Sequence, residues 1–240
     1  SKFNIDRAIG IQLRHKLRLG GNWIIKEKFS ISQGEGRNIT EGNIGGLQYT
    51  SRLELLPFGE FSSKGDYSQG DLKREKSIKA MFGFTYDINE NAVKSRSNMG
   101  SYLIQSSGGL FETDITTIFL DGVIKYNGFA LTGEYANRDA DQIEALEEDG
   151  RTKTGAVVGA GSASNIQGSY LFKNNFEITA RYTNINFKKI TRLSDLNQIT
   201  FGVSKYVVGH SLKIQADISL LNASGIKDNV LFRTGFDLHF

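Results

Sequence analysis

The stretch Leu231-Phe232-Arg233-Thr234-Gly235-Phe236-Asp237-Leu238-His239-Phe240 alternates in character. Phe232, Phe236, Leu238 and Phe240 occupy even positions, the odd positions are mostly polar, and the chain stops on phenylalanine. Successive side chains of an extended strand point to opposite faces, so this segment offers one apolar and one polar face. Two environments call for that pattern. One is a half-buried strand of a soluble sheet; the other is the closing strand of an outer-membrane β-barrel, with lipid on one side and a wet lumen on the other.

The pattern recurs along the whole chain. Residues 209–220 set Leu212, Ile214, Ala216, Ile218 and Leu220 against Lys213, Gln215, Asp217 and Ser219. Residues 77–88 set Ile78, Ala80, Phe82, Phe84 and Tyr86 against Lys79, Met81, Gly83, Thr85 and Asp87. Similar alternation runs through 6–18, 22–32, 46–56, 116–126, 128–138, 164–172, 175–183 and 198–206. That gives about eleven strands of roughly ten residues, the length a tilted membrane strand needs. No segment spaces its apolar residues at three and four as a helix would. The expected fold is all-β, an antiparallel transmembrane β-barrel forming a single domain over 1–240. Phe82, Phe84, Ile214, Ile218, Phe236 and Leu238 then face lipid, and Lys79, Arg181, Lys213 and Arg233 face the lumen.

The links alternate in length. Leu19-Gly20-Gly21, Tyr126-Asn127-Gly128, Lys173-Asn174-Asn175 and Val208-Gly209-His210 are tight, whereas 33–45, 89–114 and 139–162 are long and 188–196 and 221–228 moderate. Short periplasmic turns and longer outside loops give this rhythm in outer-membrane barrels. The exception is 57–76, long although it belongs on the tight-turn side; it holds the single proline, Pro57, and is expected to contain a small hairpin. Aromatic residues sort with the links. Trp23, Tyr126, Phe129, Phe172, Phe176 and Phe240 fall beside tight turns, and Tyr49, Tyr86, Tyr135 and Phe232 nearer the long loops, as two interfacial girdles would.

Composition sets bounds on this picture. With 240 residues, 27 Gly, 1 Pro and 0 Cys, the chain suits a glycine-tolerant antiparallel sheet and does not rely on disulfides. A mean hydropathy of −0.31 leaves no run for a membrane helix. A net charge of +3, spread along strands, gives no argument for nucleic acid. No signal peptide precedes Ser1, so a mature or truncated product is expected. First and last strands both run inward, so antiparallel closure between 6–18 and 230–240 is excluded, and roughly five or more further strands are expected before Ser1. An extra strand near Tyr102–Gln105 would instead restore an even count.

Several phrases resemble the phosphate-selective porin O and P family, particularly its Bacteroidetes members. They are Tyr49-Thr50-Ser51-Arg52-Leu53-Glu54-Leu55-Leu56-Pro57-Phe58-Gly59, Gly65-Asp66-Tyr67, Asp71-Leu72-Lys73-Arg74-Glu75, Lys125-Tyr126-Asn127-Gly128-Phe129, Gly133-Glu134-Tyr135-Ala136-Asn137-Arg138, Ala180-Arg181-Tyr182-Thr183 and 205–215. The resemblance runs in order from about Asp6 to Phe240. It implies a sixteen-stranded, usually trimeric porin of the bacterial outer membrane, in contact with the lipid bilayer and lipopolysaccharide, of which this chain supplies the last eleven strands. It also implies a lumenal arginine ladder with a lysine cluster guiding phosphate, and a constricting third loop upstream of Ser1.

By alternation the pore-lining cations are Arg14, Lys16, Arg18, Lys26, Lys28, Arg52, Lys79, Lys125, Arg138, Arg181, Lys213 and Arg233, against Glu54, Asp87, Asp121, Glu134, Glu177, Asp217 and Asp237. Cations lead, which favours a weak anion preference. Pairs such as Arg52 with Glu54 or Arg181 with Glu177 point equally to a compensated lattice without selective role.

Other chemistry has little support. His15, His210 and His239 have no nucleophile pattern beside them, which argues against an enzyme. The glycine-rich 155–161 run lacks the strand-to-helix context of a phosphate cradle and reads as a loop. The acidic run Asp139, Asp141, Glu144, Glu147, Glu148 and Asp149 matches no calcium-loop spacing; a solvated outside loop or a hard-cation bridge to lipopolysaccharide are its two readings. The expected function is passive diffusion of small hydrophilic solutes, with a weak anion or phosphate preference and no cofactor. The alternatives are a barrel scaffold in an envelope complex with little or no open pore, and a barrel enzyme. Phe240 ends an outward series with Phe236 and Leu238 that resembles a barrel-assembly signal.

Overall fold

In the computed structural model, residues 2–37, 39–40, 46–209, 211–223 and 226–238 are described. Alternating β-branched and aromatic residues make strands, and the chain obeys that preference almost throughout. In order the strands are β1 (Gly10–Arg18), β2 (Ile24–Ser32), β3 (Gln48–Leu56), β4 (Lys79–Ala92), β5 (Lys94–Arg96), β6 (Met99–Tyr102), β7 (Thr113–Tyr126), β8 (Phe129–Ala140), β9 (Glu144–Leu146), β10 (Lys153–Val157), β11 (Gly161–Leu171), β12 (Phe176–Phe187), β13 (Leu196–Val208), β14 (Leu212–Ala223) and β15 (Ile226–Leu238). Eleven of them form one antiparallel sheet in the order β1-β2-β3-β4-β7-β8-β11-β12-β13-β14-β15. The eleven expected strands are these. β1 and β15 are the sheet's edges, run in the same direction, and are not paired with each other among the described residues. Among the described residues no helix is long and apolar enough to cross a membrane.

Four link expectations are corrected. Residues 57–78 contain no hairpin but a 3-10 turn at Ser62–Tyr67, where Ser63 and Lys64 take left-handed φ of 53° and 59°. The segment near Tyr102–Gln105 adds no strand to the large sheet, because β6 pairs only with β5 in a separate hairpin. Part of the 155–161 run is strand, since β10 pairs with β9. The 221–228 link is shorter than expected, because Ala223 already pairs with Ile226. The tight turns behave as their sequences require. Asn127 and Gly128 take φ of 47° and 92° while Tyr126 pairs with Phe129, the two-residue hairpin that needs positive φ at both positions.

The sheet reverses the usual sorting of side chains. Phe82, Phe84, Ile214, Ile218, Phe236 and Leu238 are 51, 44, 54, 45, 72 and 48% exposed, whereas Glu54, Asp87 and Arg138 are fully buried and Lys125 is 1% exposed. Cross-strand partners share a face, and the pairings Lys26 with Glu54 and Asp217 with Arg233 carry the polar set along one side. That side is concave. A cavity of about 980 Å³ is lined continuously from Arg52 on β3 to Gln198 on β13. Apolar packing on the concave side is confined to small clusters, one of Ile24, Leu56, Phe61, Met81 and Val123, another of Phe3, Ala136 and Ile185.

Candidate functional site

The concave face is built from every second residue of eleven strands, so the side chains that sequence alternation groups together do share it. Arg14, Lys16, Arg18, Lys26, Lys28, Arg52, Lys79, Lys125, Arg138, Arg181, Lys213 and Arg233 all take this face, as do the seven acids opposite them. What the alternation could not give is how the charges are used.

Most of the cations are neutralised in place. Lys26 Nζ lies 2.6 Å from Asp66, Lys28 Nζ 2.6 Å from Glu54, and Arg52 Nε donates to Glu54 at 2.7 Å. Arg18 pairs with Glu60 at 3.1 Å, and Lys16 pairs with the same carboxylate. Arg233 reaches Asp217 at 2.9 Å and Lys213 approaches Asp237 at 3.7 Å, both across directly opposed positions. Arg14 donates to Gln12. Three further cations act as fasteners on neutral oxygens. Lys79 Nζ donates to Phe58 O at 2.7 Å, Lys125 Nζ to Gly70 O at 2.8 Å and Ser68 Oγ at 2.9 Å, and Arg138 Nη2 to Phe3 O at 2.9 Å. A lead of cations by count therefore does not become a lead of free charge.

Arg181 is the exception. The expected Arg181–Glu177 pair is not formed: Glu177 accepts instead from Tyr206 Oη at 2.6 Å. Two residues four apart on a strand lie about 13 Å apart, too far for an ion pair, whereas Tyr206 comes from the adjacent β13. Arg181 makes no hydrogen bond or ion pair among the described residues, and it lines both the cavity of about 980 Å³ and an adjoining one of about 400 Å³. Glu134 is the acid facing the larger cavity without a partner among the described residues.

Two segments outside the strands enter the concavity, a role that alternation does not assign to them. From the long-loop end, Phe3 is fully buried, stacks on Phe187 with ring centroids 5.6 Å apart, and accepts from Arg138, while Asp6 N–H donates to Asn98 at 3.1 Å. From the tight-turn end, 57–78 brings Phe61, Asp66, Tyr67, Gln69, Asp71 and Glu75 onto the polar face. Tyr67 Oη donates to Glu54 at 2.8 Å, and Lys26 and Lys28 stand over its ring at 5.0 and 5.1 Å. The one sequence signal for this was a long link where the rhythm demanded a short one.

The convex face is mostly apolar; on it His15 Nδ1 lies 3.0 Å from Glu27 Oε2, and Lys205, beside the tight-turn rim, donates to Asn174 O at 2.6 Å. Half-exposed Trp23, Tyr126, Phe129, Phe172 and Phe176 rim it beside the tight turns. In the acidic run the carboxylates are used one by one: Asp139 with Lys188, Glu144 with Lys153, Glu147 with Ser106, and Asp149 with the Arg151 and Thr152 N–H groups. The Thr152 hydroxyl, with those N–H bonds, holds the Asp149 carboxyl below its ordinary range. Among the described residues no group of three or more His, Asp or Glu converges as a metal site would. His210, His239 and Phe240 lie outside the described residues.

Comparison with protein-family models, with curated proteins and with solved structures gives no match to the chain.

Proposed function

We propose that the chain is the larger part of an outer-membrane β-barrel porin through which small hydrophilic solutes diffuse. Its convex face lies against lipid and its concave face against water. The observation that carries this reading is the reversed sorting: large apolar side chains exposed along the strands, and charged ones fully buried behind them. In water such a face would cost the hydrophobic free energy of every exposed phenylalanine and isoleucine; in a bilayer it is the face that fits. The aromatic rim beside the tight turns supports the same orientation.

The resemblance to phosphate-selective porins adds the rest: sixteen strands, a homotrimer, contact with lipopolysaccharide, and anionic or phosphate solutes, with no cofactor and no catalysis. The anion preference rests here on Arg181 rather than on a cation count, because Arg181 alone of the expected arginines and lysines faces both cavities without a partner among the described residues. A second reading, a barrel scaffold with little or no open pore, draws on the segments that enter the concavity from both ends. Single-channel recording of the purified full-length protein in planar bilayers separates the two. Steady ohmic current with a modest anion preference is the expected result, and a protein that inserts but carries no current would overturn the porin reading.

A further inference from the structure

Residues 57–78 lie on the tight-turn side but fold into the concavity instead of capping a hairpin. Phe61 anchors the entry, packed with Ile24, Leu56, Met81 and Val123. The chain then crosses the inner faces of successive strands. Asp66 is held by Lys26 on β2, Tyr67 by Glu54 on β3, and Gly70 O by Lys125 on β7. Gln69 accepts from Gln167 on β11 at 3.4 Å, and a Cβ on Gly70 would stand 2.7 Å from Glu177 on β12 and 3.3 Å from Tyr206 on β13. The ten residues 61–70 thus reach from one side of the sheet to the other.

The far end is fastened as firmly. Glu75 binds the Ser62 N–H at 2.5 Å and closes the segment on itself, Asp71 accepts from the Gly128 N–H at 2.8 Å, and Arg74 donates to Phe172 O at 2.6 Å. Those last two partners lie in or beside the tight turns of the sheet, so the segment is a cross-beam and not a flap. Its own charges cancel, Glu60, Asp66, Asp71 and Glu75 against Lys64, Lys73, Arg74 and Lys76. The side chain it turns toward the cavity of about 400 Å³ is the uncharged Gln69.

We infer that 57–78 is the element that limits passage through the barrel, and that it does so by size and not by charge. The inference rests on the porin reading above. Because residues 1–240 contain no cysteine, Gln69→Cys in the full-length protein, with any cysteine outside these residues replaced by serine, offers a single labelling point on the exposed side of the beam. Labelling it with a bulky neutral maleimide lowers single-channel conductance to about half or less of the value before labelling, with the anion-to-cation ratio unchanged. Lys173→Cys, in a turn outside the concavity, takes the same label without effect. In a second variant Ser62–Gly70 is replaced by three glycines, and conductance rises at least about twofold.

Each outcome decides something. A fully labelled Gln69→Cys that conducts as before overturns the inference and leaves the porin reading standing, and so does a label that changes selectivity but not conductance. A silent wild type with a conducting glycine variant keeps 57–78 as the limiting element and sinks passive diffusion. Silence in both removes the two together. Should the glycine variant not fold, the labelling result stands by itself.

Discussion

Arg52 on β3 and Asp121 on β7 join across the intervening strand β4, with Nη1 to Oδ1 at 2.6 Å and Nη2 to Oδ2 at 2.8 Å. The pair exists because Gly83 stands between them. A Cβ there would lie 2.6 Å from Arg52 Nη2 and 2.7 Å from both Asp121 oxygens. Gly83→Ala is absorbed by small shifts of two flexible side-chain ends. Gly83→Leu separates the pair and leaves two half-buried charges with poorer partners, lowering stability by about 1–3 kcal/mol. The temperature at which the band shifts in heat-modifiable gel mobility measures it, and equal midpoints for Gly83→Leu and wild type would show that the bridge contributes nothing.

Phe84→Arg tests the lipid-facing assignment directly. On a water-exposed strand this change at a 44% exposed position is close to neutral, within about 0.5 kcal/mol. Within a bilayer it costs about 2–4 kcal/mol near the midplane. Urea unfolding in lipid vesicles distinguishes the two values.

Arg181→Glu reverses the one unpaired arginine facing both cavities. Folding yield stays close to wild type, because no partner of Arg181 among the described residues is lost, and the reversal potential in a salt gradient moves toward cations by at least about a twofold permeability ratio. A folded variant with unaltered selectivity would remove Arg181 from the solute path.

Glu60 ties the start of the 57–78 segment to β1, and its hydrogen bond from Lys16, with the neighbouring charge of Arg18, holds its carboxyl below the ordinary range. A depressed acid contributes stability above its unfolded pKa of about 4.3 and loses it as pH falls through the folded value. Wild type should therefore lose stability more steeply than Glu60→Gln as pH drops below that range, with the two curves converging in stronger acid. Parallel curves across the titration would contradict the tether.

The strands were legible because a period of two is written into every second residue, and the Asn127-Gly128 hairpin because few residues accept positive φ twice in succession. Ion pairs were legible only at short range. Residues two apart on a strand, such as Arg52 and Glu54, sit close enough to meet, whereas Arg181 and Glu177, four apart, share a face but not a contact. The route of 57–78 was not legible at all. Its contacts join Lys125 to Gly70 and Arg74 to Phe172, 55 and 98 residues apart, and such pairings leave no periodic trace in either partner.

The neighbour-to-neighbour order of the sheet also dictates how the chain assembles. Nearly every backbone pairing closes a hairpin between consecutive strands of the sheet, so the loops to be closed stay short and each new strand can dock on one already formed. Among the described residues the longest-range ties include Phe3 O to Arg138, 135 residues apart, Asp6 to Asn98, 92 apart, and the fasteners of 57–78. Their loop-closure entropy is the largest in the molecule, so they form last, after the strands that receive them are in place. The interior is thus furnished after the wall is built, and damage to the beam leaves the wall able to form.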